Sequence, residues 1–375
     1  MDTVIIVIPS LIGHGAERMA VLASGVLQSK YNVILVTFTL AEQQYTPTCK
    51  VINLDVPSKA GTVDKIINLM KRIRLLRKIR KNERPAAVIS FGPSSNFVNV
   101  FSRGIGKTII SYRGFASVQK SGSLYVSCKL ADKIFGISKD LVAQLTDIYP
   151  WTKEKSSVIY NRIDLTSLKE KKNEKCDYQA SKPAFISVGR LEPVKGYKHL
   201  INAFKIVKET FPSASLSFVG DGSMRKALED QAAELGLDDS VFFLGLQENP
   251  FKYLKKSDIC VQTSITEGFM NVLVEACACG VPAISTDCRS GPREILSERS
   301  ERCMDVIEYA EYGVLVPGFS RPDSVEPQKE ELLANAMVML ASDKELYWKY
   351  KNAGEKRAEF FAEGYFEDLV ALIEE

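Results

Sequence analysis

Hydrophobic residues along this chain fall into short β-branched runs, separated by longer stretches in which they return every three or four positions. Runs of the first kind predict strands, and the second pattern predicts amphipathic helices. The first half offers strands at Thr3–Ile8, Val33–Phe38, Val51–Leu54, Ala86–Phe91, Thr108–Tyr112, Lys133–Ile137 and Ser157–Tyr160. Residues 169–182 are Lys/Glu-rich and poor in large apolar side chains, which predicts a linker. The alternation then restarts at Ala184–Val188, Ser215–Val219, Val241–Leu244, Asp258–Thr263, Ala283–Thr286 and Val314–Val316. Strands alternating with helices form βαβ units and parallel sheets. The pattern predicts an α/β chain of two doubly wound, Rossmann-like domains facing across a cleft, residues 1–168 and 183–355, with 356–375 as a C-terminal helix. Ligands of such sheets bind beyond the carboxyl ends of the strands. Residues 297–328, charged and carrying Pro317, Pro322 and Pro327, read as an elaborated loop around one short strand.

Composition narrows the class. Of the 375 residues, 45% are hydrophobic and 25% charged, which excludes a disordered tail, a collagen-like fibre and a coiled-coil rod. No run approaches the roughly 18–20 apolar residues that span a bilayer. Met1-Asp2-Thr3 leads at once into a strand with no charged leader, so no signal peptide and a cytoplasmic location are expected. The eight cysteines form no C-x-x-C pair and read as reduced thiols. With two histidines, His14 and His199, a zinc site or a His-dependent triad is not expected.

Charge is uneven. Residues 1–170 carry 24 Lys and Arg against 12 Asp and Glu, whereas residues 171–375 carry 25 against 34. A basic first half expects an anionic partner. Much of the excess lies in 64–84, which holds Lys65, Lys71, Arg72, Arg74, Arg77, Lys78, Arg80, Lys81 and Arg84. Ile66, Leu69/Met70, Ile73, Leu76 and Ile79 recur there at helical spacing. This predicts an amphipathic helix with a basic outer face, which is either merely solvated or in contact with an anionic membrane surface. Nucleic acid is not expected, since no aromatics interleave the basic residues.

Two glycine turns follow strands: Gly13-His14-Gly15 running into Ala16-Glu17-Arg18, and Gly220-Asp221-Gly222 followed by Arg225. Neither has the third glycine of a dinucleotide fingerprint, so a nicotinamide or flavin enzyme is disfavoured. The second half carries more chemistry. In Ser187-Val188-Gly189-Arg190-Leu191-Glu192-Pro193-Val194-Lys195-Gly196, two permanent cations sit on a glycine-bounded loop after a strand, as a diphosphate site requires. Glu267 and Glu275 are eight positions apart, with a helix expected from about Asn271 to Cys279. At 1.5 Å per residue the spacing is about 12 Å, too wide for a glycosidase carboxylate pair but close to the length of a nucleotide sugar. Glu275 lies in the apolar run Val272–Ala278 and there needs a partner.

The segment Ser264–Leu296, with its E-x(7)-E element, resembles the donor-site signature of the retaining glycosyltransferases of family four, which have the two-Rossmann B-type fold. The loop SVGRLEPVKG resembles that family's Arg/Lys diphosphate loop, GHGAER its first-domain glycine loop, and Asn161-Arg162-Ile163-Asp164 its crossover between domains. The tail Tyr365–Glu375 resembles the helix that returns to the first domain.

The resemblance implies that Arg190, Lys195 and Glu267 are catalytic. Arg190 and Lys195 would hold the donor diphosphate beside Gly189, Glu275 the ribose, and Glu267 the sugar ring. The backbone of Gly268, Phe269, Met270, Asn271 and Val272 would meet sugar and phosphate. Gly13 and Gly15 would let the first-domain loop approach the phosphates, and His14, Arg18 and Arg113 would fall on the acceptor side. Two positions depart from the pattern: His14 replaces a glycine, and Met270 stands where many relatives have Gly or Pro. No D-x-D occurs, so no cofactor and no metal are expected. The expected partners are a nucleotide sugar, UDP-linked, and a lipid-linked glycan acceptor at the inner face of the cytoplasmic membrane. A sugar-nucleotide epimerase of related fold and a non-catalytic subunit of a synthase complex are the competing functions.

Overall fold

The computed structural model describes residues 1–375 except 13–14, 41–44, 59–60 and 303–304. The chain divides into two units, one formed by Met1–Arg162 with Gly364–Glu375, the other by Ile163–Glu363.

The first unit is built on β1 (Thr3–Ile8), β2 (Asn32–Thr37), β3 (Lys50–Asn53), β4 (Ala87–Phe91), β5 (Lys107–Tyr112), β6 (Lys133–Gly136) and β7 (Ser156–Val158). Their order is β3-β2-β1-β4-β5-β6-β7, and every pairing is parallel. Helices α1 (Gly15–Leu27), α2 (Thr62–Glu83), α3 (Pro93–Phe101), α4 (Gly122–Leu130) and α5 (Lys139–Ile148) connect them. Val4 to Ile8 are all fully buried, because helices cover both faces of the sheet. Alternate residues divide between two cores: Val4, Ile6 and Ile8 pack with α1, while Ile5 and Val7 pack with Ile73 and Leu76 of α2 and Val98 of α3.

The order of the chain also leaves its final helix in this unit. Leu369, Leu372 and Ile373, buried in the α1-side core, lie on the helix Tyr365–Glu374. Lys107 Nζ donates to the Ile373 carbonyl at 2.8 Å, and Lys133 pairs with Glu375 at 2.9 Å. Each buried leucine contributes about 1.5–3 kcal/mol of transfer free energy.

One expectation needs correction. α2 does not bury its regular apolar stripe beneath an all-basic face. Its buried positions are Asn68, Arg72, Ile73, Leu76 and Arg80, whereas Val63, Ile66, Ile67 and Met70 are exposed. The two arginines replace apolar residues on the inner stripe because carbonyls await them. Arg72 donates to the Val56 carbonyl from both Nε (2.9 Å) and Nη2 (2.8 Å), and Arg80 donates to the carbonyls of Ile105 and Gly106 and to Asn99.

The second unit contains β8 (Ala184–Val188), β9 (Ser215–Val219), β10 (Val241–Phe243), β11 (Ile259–Gln262), β12 (Ala283–Thr286), β13 (Glu308–Tyr309) and β14 (Val314–Val316). Their order is β10-β9-β8-β11-β12-β14-β13, parallel except for the β13–β14 pair. The helices are α6 (Leu165–Lys171), α7 (Tyr197–Thr210), α8 (Arg225–Glu234), α9 (Phe251–Lys256), α10 (Asn271–Cys279), α11 (Pro292–Leu296), α12 (Pro327–Ser342) and α13 (Lys344–Phe360). The last helix, in the first unit, is α14 (Tyr365–Glu374).

The boundary between the units falls inside Asn161–Asp164, upstream of the expected linker. Residues 169–171 close α6, whose start is capped by the Asp164 carboxylate accepting from Ser167 N. Leu168 is buried, and Lys172 donates to the Ala278 carbonyl at 2.9 Å, so this polar stretch begins as part of the second unit. Residues 356–360 likewise belong to α13 of that unit and not to the final helix.

Candidate functional site

Three loops at the carboxyl ends of β8, β11 and β12 build the site in the second unit. The loop after β8 passes through Gly189 and Arg190, makes a single 3₁₀ turn at Pro193–Lys195, and enters α7 through Gly196. Gly196 has φ +62, and a Cβ there would stand 2.3 Å from the Thr263 carbonyl oxygen. Only glycine combines that backbone with so close an approach. The loop after β11 is stitched to this turn: Ile265 N–H donates to the Val194 carbonyl at 2.8 Å, and Thr263 Oγ1 donates to the Lys195 carbonyl at 3.0 Å.

The side chains meet across the stitching. Lys195 Nζ lies 2.6 Å from Glu267 Oε1, with side-chain exposures of 18% and 15%. Ser264 Oγ donates to the same carboxylate oxygen at 2.7 Å. Burial disfavours the Lys195 charge, but Glu267 outweighs it and raises the ammonium above its usual range. Lys195 is thus a fixed cation and not a proton carrier. Arg190 is exposed, and among the described residues its guanidinium forms no ion pair.

The loop after β12 supports Glu267 from behind. Glu267 N–H donates to the Arg289 carbonyl at 2.7 Å, and Ser290 Oγ donates to the Gly268 carbonyl at 3.0 Å. That loop is held by Arg293, whose Nη2 is 2.7 Å from both Asp287 Oδ2 and Glu308 Oε2, all three side chains being nearly inaccessible.

Gly268, Phe269 and Met270 are buried between Glu267 and the start of α10, whose N-terminus has no side-chain cap. Val272 and Glu275 are buried in α10, and Asn271, its first residue, is half-buried. The helix bounds agree with those expected, but Glu267 precedes the helix by four residues. Only the step from Asn271 to Glu275 is helical, about 6 Å of rise, so the 12 Å ruler does not apply. Met270 directs its sulfur toward Ser285 Oγ at 3.6 Å and is 2% exposed, which makes it a filler beneath the loop.

The first-unit candidates form a separate group. Gly13 and His14 lie outside the described residues. Gly15 opens α1, and Arg18 is half-buried on its first turn beside Glu17, which accepts from Ser10 Oγ at 2.8 Å. Arg113 donates to the Asn161 side-chain oxygen and lies over the Phe91 ring. Burial depresses its pKa to about 10, with Tyr365 nearby opposing the shift. Sequence reasoning missed Ser264, Ser290 and the Arg293 network. Ser264 had a local signal, its position three residues before Glu267; the others are brought in by folding alone.

Two mainly parallel α/β units, the second carrying a lysine–carboxylate pair between a strand end and an uncapped helix, have the two-Rossmann architecture found in glycosyltransferases. The model of the family glycosyl transferases group 1 matches residues 169–357, and the chain belongs to that family. Among curated relatives, an uncharacterized glycosyltransferase of Methanocaldococcus jannaschii is 35% identical over 237 residues, 59% of this chain and 58% of its own length. The N-acetylgalactosamine-N,N'-diacetylbacillosaminyl-diphospho-undecaprenol 4-alpha-N-acetylgalactosaminyltransferase of Campylobacter jejuni is 26% identical over 372 residues, 95% of this chain and 94% of its own. The solved structure of the lipopolysaccharide outer core galactosyltransferase WaaB in its apo form superposes with a TM-score of 0.73 at 19% identity, covering 100% of this chain and 99% of its own. The protein is a glycosyltransferase of the two-Rossmann fold.

Proposed function

We propose that this glycosyltransferase moves a hexose or N-acetylhexosamine, with retention, from a UDP-linked donor to a glycan carried on a polyprenyl diphosphate. The observation that carries the donor side is the Lys195–Glu267 pair beside the uncapped start of α10. Arg190, Lys195 and the helix-end N–H groups supply positive charge where a departing diphosphate develops negative charge. The bond from the anomeric carbon to the phosphate oxygen breaks with its electrons on that oxygen. The acceptor hydroxyl then bonds to the same face of the carbon and passes its proton to the diphosphate oxygen. Glu267 orients Lys195 and meets sugar hydroxyls, and Glu275 takes the ribose. Gly13, Gly15, His14, Arg18 and Arg113 serve the glycine loop and the acceptor. No metal step is invoked, and turnover is expected to survive a chelator.

The lipid-linked acceptor is supported by the diphospho-undecaprenol substrate in the name of the Campylobacter jejuni relative and by α2. Exposed Val63, Ile66, Ile67 and Met70 share a helix with exposed Lys71, Arg74, Lys78 and Lys81. All eight lie on the outer face of α2, the apolar four in its first turns and the cations further along, an arrangement that suits insertion of the apolar end into a membrane surface with the cations at anionic headgroups. Among the described residues no helix is long and apolar enough to cross a membrane, so attachment of this kind is peripheral.

A screen of labelled sugar nucleotides with membrane extract as acceptor source tests the whole reading. Label transferred to extractable lipid is the expected result. Donor isomerised without acceptor, or bound without turnover, overturns it in favour of an epimerase or a silent subunit.

A further inference from the structure

His199 lies on the first turn of α7, four residues after Lys195, and is 1% exposed. Its Nδ1 is 2.8 Å from Glu330 Oε1 on α12, and its Nε2 is 2.9 Å from the Arg321 carbonyl oxygen. A carbonyl oxygen only accepts, so Nε2 carries a hydrogen. Glu330 Oε1 also accepts from Asn202 Nδ2 at 2.9 Å. A second proton must lie between Nδ1 and Glu330; without it a ring lone pair faces a carboxylate lone pair. Imidazole is the stronger base, so that proton sits on the ring. The ring also stacks on Phe319, centroids 3.9 Å apart and planes 6° from parallel, an arrangement that suits a cation.

The surrounding charges come from several elements. Glu330 faces the ring from α12, and Glu326, itself paired with Lys329 at 2.7 Å, adds negative potential. Lys198, Asp230, Glu234 and Asp323 border a cavity of about 460 Å³ that His199 also lines. Burial opposes the positive charge, but the Glu330 and Arg321 hydrogen bonds outweigh it and hold the histidine above its ordinary range.

What this histidine holds is close to the proposed diphosphate site. Its backbone N–H donates to Gly196 O at 3.0 Å, closing the turn that follows Lys195. Arg321, its carbonyl partner, precedes Pro322, which shares a small hollow with Glu192, Pro193 and Tyr197 of the Lys195 loop. We propose that His199 is a positioning residue: as an imidazolium bridging Glu330 and the Arg321 carbonyl, it clamps the Lys195 turn, and it releases that turn when the ring loses its second proton. The proposal rests on Lys195 holding the donor diphosphate. The clamp is complete at low pH and is lost as pH rises through the raised histidine pKa.

The direct test is nitrogen-15 NMR of histidine-labelled protein, with His14→Gln leaving a single imidazole. Both ring nitrogens are expected to be protonated at the ordinary imidazole midpoint, about pH 6.5, and the ring to lose its second proton only above it; a ring already neutral there overturns the proposal. The functional test is UDP binding by calorimetry across the pH range in which the NMR shows the ring to lose its second proton, kept below the ionisation of the uracil ring and of Lys195. Affinity is expected to fall by at least about threefold across it. Glu330→Gln, which leaves an acceptor for Nδ1, should move the midpoint to lower pH. His199→Phe, which keeps the stack, should bind weakly and without pH dependence. A flat profile in the wild type with Lys195→Ala still impaired sinks the clamp alone. Unchanged UDP binding in Lys195→Ala sinks the diphosphate reading beneath it.

Discussion

Lys195 and Glu267 are 72 positions apart in the chain, yet Nζ and Oε1 stand 2.6 Å from each other. They meet because β8 and β11 are neighbours in the sheet, and because two hydrogen bonds sew the turn after one strand to the loop after the other. The pairing keeps the lysine charged in a half-dry place, where an unpaired ammonium would tend to lose its proton. Lys195→Ala should lower turnover by at least about tenfold, and Glu267→Gln by a similar factor, with both proteins folded by circular dichroism. Because the pair raises the lysine pKa, its charge is complete below that value and lost only as pH climbs through it. No decline in rate assignable to Lys195 should therefore appear in a pH–rate profile below the ordinary lysine range. Unchanged kinetics in both variants would remove the pair from the mechanism.

Gly196 offers a sharper structural test. Gly196→Ala must place a Cβ 2.3 Å from the Thr263 oxygen at φ +62, whereas Gly236, at φ +67, has nothing within 4 Å of a built Cβ. Gly236→Ala should cost about 1 kcal/mol, the left-handed penalty alone, and Gly196→Ala more than about 2 kcal/mol. Urea denaturation reads both. Gly196→Ala should also lose donor binding, since the stitched turn must open.

Arg293 is the buried centre of a charge network with Asp287 and Glu308. Burial works against its charge, but the two carboxylates outweigh it and push the guanidinium pKa upward. Arg293→Leu leaves both acids buried without their partner, and stability should fall by about 3–5 kcal/mol. A simultaneous change to Asp287→Asn and Glu308→Gln should recover much of the loss. A single variant as stable as the wild type would show that water reaches the network.

Membrane attachment through α2 predicts two separable effects. Lys71→Glu, Arg74→Glu and Lys78→Glu together should weaken binding to vesicles containing anionic lipid by at least about tenfold, and most strongly at low salt. Arg77 is left out because its guanidinium donates to the Phe101 carbonyl at 2.7 Å. Ile66→Ser with Ile67→Ser should weaken binding at every ionic strength, as loss of apolar insertion does. Cosedimentation that neither set alters would return α2 to a solvated helix.

The order and phase of apolar residues determined most of the architecture. Thirteen strands were legible in the sequence because βαβ units bury strands as continuous β-branched runs, and the bounds expected for α10, Asn271 to Cys279, are those found. Arg190, Lys195 and Glu267 could be picked out as candidates for a local reason, since each sits in a loop that follows a strand, whereas Glu275 stood out only as an acid in an apolar helical run. What the linear pattern did not contain was decided by tertiary contacts. Arg72 and Arg80 occupy the inner stripe of α2 because distant carbonyls satisfy them, which no helical periodicity encodes. Residues 169–172, the start of the stretch whose composition predicts a linker, join the second unit through the end of α6 and through Lys172, which donates to the Ala278 carbonyl. Ser290 and His199 acquire their partners only when segments distant in the chain converge. A hydrophobic pattern reports which face of an element leaves water; which polar group waits on the other side is settled by the fold.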